Sequence, residues 1–508
     1  MTTLNRRSFL TGAAALGAAA ATGGLVWKPR RAASQATPVP SNSALLDLRQ
    51  RLAGTLMLPE DSGYLAASAP ANGRYLDIRP AAVARCADEA DVVTCVNWCN
   101  ENGIKPVGRG GGHSYAGLST TTGLMLDLRR LNSVAIDRQQ TTLTCGGAAT
   151  NGDYFTAAED GPLLLPGGTC LGVGMGGLTL GGGIGYNAHW AGLTSDHLLA
   201  SRIVTANGDV LEIDASQHPD LYWACRGGAG GNFGINTSLT FSMVEVPAQD
   251  VAFYRFTWRG ADAAAAVFSA FHAMLETAPP ALNAVAMAQA APVGDGGPRE
   301  AIDVMSRGQY IGPVDELRDL VQPLLDAASP VTQTLNGQTF WSIQRYIATG
   351  EPDPHSFGDI SRYADKPLPD DAVAKVVDLL AECPSRTADA NGSFWSLGWV
   401  GGVVNDLGRT DTAYVHRDML TLLRPTTVWP NDADASVGEG LNAWSAEVIA
   451  AIAPHTPNES YQNFPNRDIT DWAEQYYAEN YDKLVEVKTQ YDPGNLFTNP
   501  QGIPPRVV

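Results

Sequence analysis

Two glycine-rich stretches carry the residues that could do chemistry. The first runs Val107-Gly-Arg-Gly-Gly-Gly-His-Ser-Tyr-Ala-Gly117. Gly108, Gly110, Gly111 and Gly112 lack a Cβ, so the backbone can turn sharply and bring its N–H groups close to a ligand. Successive N–H groups in such a turn form a concavity suited to a diphosphate. His113 and Ser114 sit where that loop meets the ligand, with Arg109 before them and Gly117 after. Alone, the run is equally compatible with a tight turn. It is followed by a second loop of the same kind, Pro166 to Tyr186, which contains Gly167, Gly168, Thr169, Cys170, Val173, Gly174, Gly177, Gly182, Gly183 and Gly185. A third, Gly227 to Ile235, ends on Gly234 and Ile235.

Regular elements must hold these loops. Asp88–Gly103 has the pattern of a helix, with acids at its start, Val92, Val93, Val96 and Cys99 at helical spacing, and Gly103 as its stop. Residues 104–107 make a short strand feeding the first loop, so the loop is presented at a sheet edge, where ligands are commonly held. Further strands are expected over 123–128, 141–145 and 236–244. Residues 201–213 read as a hairpin, with Asn207-Gly208 supplying the positive φ of a type I′ turn.

The 508 residues suffice for two or three domains. A net charge of −19 disfavours nucleic acid or an anionic membrane surface as partner. Residues 1–36 have the form of an address: Arg6-Arg7 precede a short Ala/Gly-rich run, and Ser34-Gln-Ala36 offers a cleavage site. The segment resembles a twin-arginine export signal, which places the mature protein outside the cytoplasm of a bacterium. Its removal leaves a net charge of about −24 and no stable membrane span. The seven cysteines form no CxxC, at least one must stay unpaired, and no His/Cys or His/carboxylate group has metal-ligand spacing.

Beyond Pro247 glycine thins out and helices over 262–277, 315–328 and 370–382 alternate with short strands, a second α+β domain rich in tryptophan and tyrosine. The chain closes with Ser460-Tyr-Gln-Asn-Phe-Pro-Asn-Arg-Asp468, a long helix over 472–490, and Tyr491-Asp-Pro-Gly-Asn-Leu-Phe497. The expected division is 37–247, 248–455 and 456–508 after the leader.

The two loops around His113 and Cys170, with Tyr461-x-Asn463-Phe464 and the 491–497 motif, together resemble the berberine bridge enzyme-like family of FAD-linked oxidoreductases, within the vanillyl-alcohol-oxidase fold. The resemblance implies an α+β fold: a two-lobed PCMH-type FAD-binding domain, an α+β substrate domain with an antiparallel sheet, and a C-terminal segment that returns to the FAD domain. It implies FAD attached twice, through His113 to the 8α-methyl and through Cys170 to C6, with the glycines named above, Arg109, Ser114, Thr169, Val173, Tyr186, Gly234, Ile235 and Asn463 around it. Val173 stands where a valine in the family leaves a path for dioxygen, which favours an oxidase.

Oxidising an alcohol by hydride transfer needs a base, and the resemblance assigns that role to Tyr461. A free tyrosine has a pKa of about 10 and needs a hydrogen bond to its anion, nearby positive charge or a second acid–base group. Asn463 is one helper; Asp389, in the window some seventy residues upstream, is a second candidate. The implied activity is oxidation of an alcohol or hemiacetal on a sugar, oligosaccharide or glycosylated natural product, with dioxygen reduced to hydrogen peroxide. The alternatives are an oxidase or dehydrogenase of an amine or phenol, and a flavin-bearing binding protein without turnover.

Overall fold

The helix before the first glycine loop is Glu89–Asn102. The Asp88 carboxylate caps it by accepting from the Asp91 N–H (3.1 Å), and Gly103, at φ 66°, ends it in a left-handed conformation that a side chain disfavours. Val92, Cys95, Val96, Trp98 and Cys99 form its buried stripe. The chain then enters strand Pro106–Arg109, the outer member of a four-stranded sheet ordered Thr55–Met57, Ala82–Arg85, Leu124–Asp127, Pro106–Arg109. The first glycine loop therefore leaves from a sheet edge. A second, antiparallel sheet of five strands (Val134–Asp137, Thr142–Gly146, Ile235–Ser242, Leu198–Val204, Val210–Asp214) lies beside it. The second loop falls between its second strand and Leu198–Val204.

The computed structural model describes residues 40–348, 355–386, 393–398 and 400–506. Asp389 and the expected leader 1–36 lie outside these residues.

Between Glu245 and Val251 the chain passes to an eight-stranded sheet. Its order is Thr332–Gln338, Val251–Arg259, Ile302–Tyr310, Leu282–Ala290, Phe394–Gly398, Thr421–Trp429, Ser356–Asp359, with Arg362–Ala364 also pairing to Thr421–Trp429. Alternation along the strands decides what each face meets. Tyr254, Phe256 and Trp258, Ala284 to Ala290 in steps of two, and Trp395 and Leu397 pack under helices Ala261–Thr277, Val314–Ala327, Asp370–Ala381 and Ala435–Ile452. The other face lies against the loops of the first half. A closed ring of side-chain amides fixes that contact: Asn187 donates to Gln344 (2.9 Å), Gln344 to Gln309 (2.9 Å), and Gln309 back to Asn187 (2.7 Å). All three are buried, and each gives and takes one bond, so none leaves its polar group stranded across this contact.

The C-terminal segment crosses back. Tyr476, Tyr477, Leu484 and Val487 join Ile203, Leu221 and Phe233 in one apolar cluster. Lys488, fully buried, anchors it by donating to the Asp492 carboxylate (2.7 Å) and to the carbonyls of Asn232 (2.6 Å) and Phe497 (2.5 Å).

Two local expectations need correction. The long terminal helix is broken into Trp472–Tyr477 and Tyr481–Tyr491. Ala478 stands at φ 40°, and the bend lets the Asn480 amide donate to the carbonyls of Arg409 (2.8 Å) and Thr412 (3.1 Å). The hairpin turn is not type I′, because Gly208 (φ 81°) has positive φ but Asn207 does not. Gly208 N–H donates to the Thr205 carbonyl (3.0 Å) in a longer connection, and its bare face lies against the Asn97 amide. The expected strands and remaining helices stand within about three residues of their expected limits.

Lys488→Met removes one member of a buried ion pair and leaves the Asp492 charge uncompensated. A loss of about 3–5 kcal/mol in unfolding free energy is expected from urea denaturation; an unchanged midpoint would show that the pair does not anchor the segment.

Candidate active site

The two glycine loops meet backbone to backbone. A Cβ on Gly111 would stand 2.3 Å from the Gly172 carbonyl oxygen and 2.5 Å from the Gly174 nitrogen, and one on Gly185 would stand 1.8 Å from the Gly167 oxygen. Neither contact admits a side chain. Asn151 fixes the second loop, its side-chain amide donating to the Cys170 carbonyl (2.9 Å) and its N–H to the Val173 carbonyl (2.9 Å). His113 and Cys170, both half-buried, thus lie on loops in direct contact. No disulfide joins any of the seven cysteines.

The residues expected around the cofactor divide by what their atoms touch. Arg109 does not offer its charge to a ligand. Its guanidinium is buried and donates to the carbonyls of Ser119 (2.8 Å), Ala67 (3.1 Å), Ala69 (3.0 Å) and Ser68 (3.0 Å), the last three at the end of the short helix Tyr64–Ser68, whose inward-facing carbonyls need a donor. Ser114 Oγ accepts from the Leu118 N–H (2.9 Å) and closes the turn after His113. Gly108 packs on the Ile235 side chain, and a Cβ on Gly234 would meet the Val204 carbonyl at 2.6 Å, so Gly108, Gly234 and Ile235 serve packing of the loop bases. Gly117 lies against the Tyr75 ring and Gly182 against Tyr414. Gly177 is different: a Cβ there would meet nothing within 4 Å, and one on Gly230 would come within 4.0 Å of its Cα. The second and third loops thus share a bare, open backbone surface.

Tyr461 reaches this region from the C-terminal segment. Its side chain is buried, and its Oη accepts three N–H groups: Gly183 (3.0 Å), Ile184 (3.1 Å) and the Asn463 amide (3.1 Å). Asn463 donates as well to the Leu178 carbonyl (2.8 Å), and the absence of a Cβ at Gly181 is what admits it. Burial pushes the Tyr461 phenol above its ordinary range, while the three donors pull it back by favouring the anion. Ser361 Oγ accepts the Tyr461 N–H (2.9 Å), and Phe464 sits edge-on to its ring at 5.0 Å.

Sequence reasoning missed a second group. Arg424 lies with its guanidinium 4.1 Å over the Phe464 ring, donating from Nε to Asp359 Oδ2 (2.7 Å) and from Nη2 to Tyr115 Oη (3.0 Å). Thr426 also donates to Asp359 Oδ2 (2.8 Å), while Oδ1 is buried without a partner. Burial pushes the Asp359 carboxyl up to about 6 despite Arg424, and Tyr115 up to about 12. Cys170 lies within electrostatic reach of both Tyr115 and Arg424. In the window where an upstream acid was expected, Phe394 flanks Arg424 (5.9 Å) and Trp395 turns into the core against Phe268 (4.5 Å). Among the described residues, a buried charged pair comes from neighbouring strands. An arginine within the apolar strand Leu422-Leu423-Arg424-Pro425 was the available signal.

A histidine loop packed directly on a cysteine loop, a bare backbone surface where the cysteine loop meets the third glycine loop, and a tyrosine from a returning segment together define a flavin-binding oxidoreductase site. The FAD binding domain family matches residues 80–214, and the family described as berberine and berberine like matches residues 460–504. An uncharacterized FAD-linked oxidoreductase of Bacillus subtilis (strain 168), YgaK, is 30% identical over 466 residues, 90% of this chain and 98% of that one. A glucooligosaccharide oxidase of Sarocladium strictum is 26% identical over 85% of this chain and 88% of its own. The solved structure of wild-type Physcomitrella patens BBE-like 1 superposes with a TM-score of 0.79 at 24% identity, over 91% of this chain and all of that one. The chain belongs to the berberine bridge enzyme-like family of FAD-linked oxidoreductases.

The residues fit the cofactor: the open face at Gly177 and Gly230, where the cysteine loop meets the third loop, is a cradle that a side chain would fill. Gly177→Leu is therefore expected to fold, since no protein atom is in the way, yet to lose flavin. The measurement is the ratio of flavin to protein absorbance in purified material, with circular dichroism as the folding control. A wild-type ratio would move the cofactor elsewhere.

Proposed function

We propose that the protein is an exported oxidase that carries FAD on both His113 and Cys170 and oxidises an alcohol or hemiacetal carbon of a sugar, oligosaccharide or glycosylated natural product, with dioxygen as acceptor. Bound FAD would supply the two-electron acceptor that takes the hydride and passes the electrons to dioxygen. The observation that carries the reading is the three-donor environment of Tyr461 Oη. A phenol oxygen facing three N–H groups is prepared to exist as an anion, which is what removal of a substrate hydroxyl proton requires. Asn463 holds that oxygen in place, and the two backbone donors come from the loop that carries Cys170. The resemblance of the 26% identical glucooligosaccharide oxidase supports a carbohydrate substrate. Val173, half-buried and fixed by its own carbonyl three residues beyond Cys170, supports dioxygen access. The Arg6-Arg7 leader supports export by the twin-arginine route.

Tyr461→Phe is expected to retain flavin and lose about a hundredfold or more in the rate of anaerobic flavin reduction by sugars. Asn463→Leu removes one donor that favours the anion, so the rising limb of the kcat/KM profile should move to higher pH. An unmoved limb together with an unchanged Phe variant would exclude Tyr461 as the base. Denatured polypeptide should keep flavin fluorescence in the wild type and in the single variants His113→Ala and Cys170→Ala, and lose it in the double variant. Complete release from the wild type by acid would exclude both tethers.

A further inference from the structure

The eight-stranded sheet presents an arrangement that the oxidase reading does not use. Arg255 and Arg307 are directly opposite partners on adjacent antiparallel strands, on the face turned to the glycine loops. Their Cβ atoms are therefore only about 5 Å apart, and like charges so placed destabilise a sheet. Neither arginine makes a salt bridge or a hydrogen bond among the described residues. Their remaining cross-strand neighbours, Thr334 and Val285, carry no charge. The acids of this face are committed elsewhere, Asp303 to Arg259 and Asp359 to Arg424. In a chain with a net charge of −19, leaving two adjacent arginines without a carboxylate runs against the simplest way to relieve their repulsion.

Two buried polar atoms at the same place lack partners. Arg307 Nε is one and Tyr186 Oη, on a residue 4% exposed, is the other. Geometry relates them: Gln309, on the same face of the strand two residues from Arg307, accepts from Gln344 (2.9 Å), and Gln344 lines one small cavity with Tyr186. Buried donors of this kind are normally satisfied by something. Tyr186 lines a small cavity with Gly168, Thr169 and Gln344, so the place adjoins the loop that carries Cys170. Tyr346, its ring 5.7 Å from the Arg307 guanidinium and half exposed, stands at the open side.

We propose that Arg255, Arg307 and the Tyr186 hydroxyl form an anion-binding subsite of the substrate cleft, so that the compound oxidised bears a carboxylate, phosphate or sulfate group. The proposal deepens the oxidase reading and rests on it for where the substrate lies. Two guanidinium forks match the oxygens of an oxoanion, and the tyrosine hydroxyl adds a third donor. The two arginines then act as specificity-determining residues: the repulsion between them is relieved only when the ligand arrives.

The test uses the flavin-loaded protein. Melting temperature is followed against D-glucuronate, D-glucose, sodium sulfate and sodium phosphate, with sodium chloride holding ionic strength constant, and peroxide release is recorded for the two sugars. Glucuronate, sulfate or phosphate should stabilise the wild type beyond chloride and glucose. Arg255→Gln and Arg307→Gln should weaken that binding by about tenfold or more. Arg255→Gln should melt, unliganded, no lower than wild type, because one repulsion is removed and Arg255, unlike Arg307 with its Tyr346 ring contact, gives up no ion pair, hydrogen bond or ring contact among the described residues; a lowered melting temperature in this variant would mark the pair as structural and overturn the subsite. All three anions behaving as chloride, or an anion effect surviving in both variants, would also overturn it, even if glucose releases peroxide and the oxidase reading stands. Anion binding that needs both arginines, without peroxide from either sugar, would keep the subsite and count against a carbohydrate oxidase.

Discussion

The structure depends on one steric condition: two backbones must touch with nothing between them. Within the second loop, where Gly185 faces Gly167, and where Gly111 of the first loop faces Gly172–Gly174 of the second, even a methyl group would overlap a backbone atom. This contact brings a histidine loop from the edge of a four-stranded sheet against a cysteine loop inserted in a five-stranded one. Everything that defines the site follows from it: the shared bare surface at Gly177 and Gly230, the row of N–H groups at Gly183 and Ile184, and the room for a tyrosine to approach them.

Tyr461 shows how opposed effects are balanced there. Burial alone would leave its phenol too weak an acid to give up its proton. The protein answers with directed donors rather than with a free cation, since the buried arginines nearby are committed. Arg424 is tied to Asp359 and Tyr115 on the other side of Phe464, and Arg417 to Asp196. The arrangements are separate: one tunes an oxygen through dipoles, while Arg424 sets a buried ion pair beside the cysteine loop.

Much of this was legible in the residues. The glycine loops, the helix from Glu89 with its Asp88 cap and Gly103 stop, and the Tyr461–Asn463 pairing all depend on local chemistry that a sequence displays. Asn463 as the helper of Tyr461 could be named because the two residues lie two positions apart on one segment. Arg109 could not be read correctly, since a charge in a glycine loop suggests a ligand, and only the fold shows four carbonyls waiting for it. The Arg424–Asp359 pair and the opposed Arg255 and Arg307 were invisible for a different reason. Strand register, not spacing along the chain, decides which side chains share a face, and a register between strands separated by a helix leaves no mark in either strand alone. The break at Ala478 was hidden likewise: its cause is the Asn480 amide reaching Arg409, some seventy residues earlier.

The returning tyrosine has a consequence for how the protein is made. Gly183 leaves the ribosome 278 residues ahead of the oxygen that its N–H will face. Until the segment carrying Tyr461, Asn463 and Lys488 emerges, that N–H and its neighbour at Ile184 lack the phenol oxygen, Gly181 lacks the amide that packs on its bare side, and the Asn232 carbonyl awaits the lysine that will hold it. A nascent chain can therefore shape both loops early and still have no finished pocket. Arrival of the returning segment is the event that seals it, so a chain cut before Tyr461 would keep the loops while lacking the groups that close them.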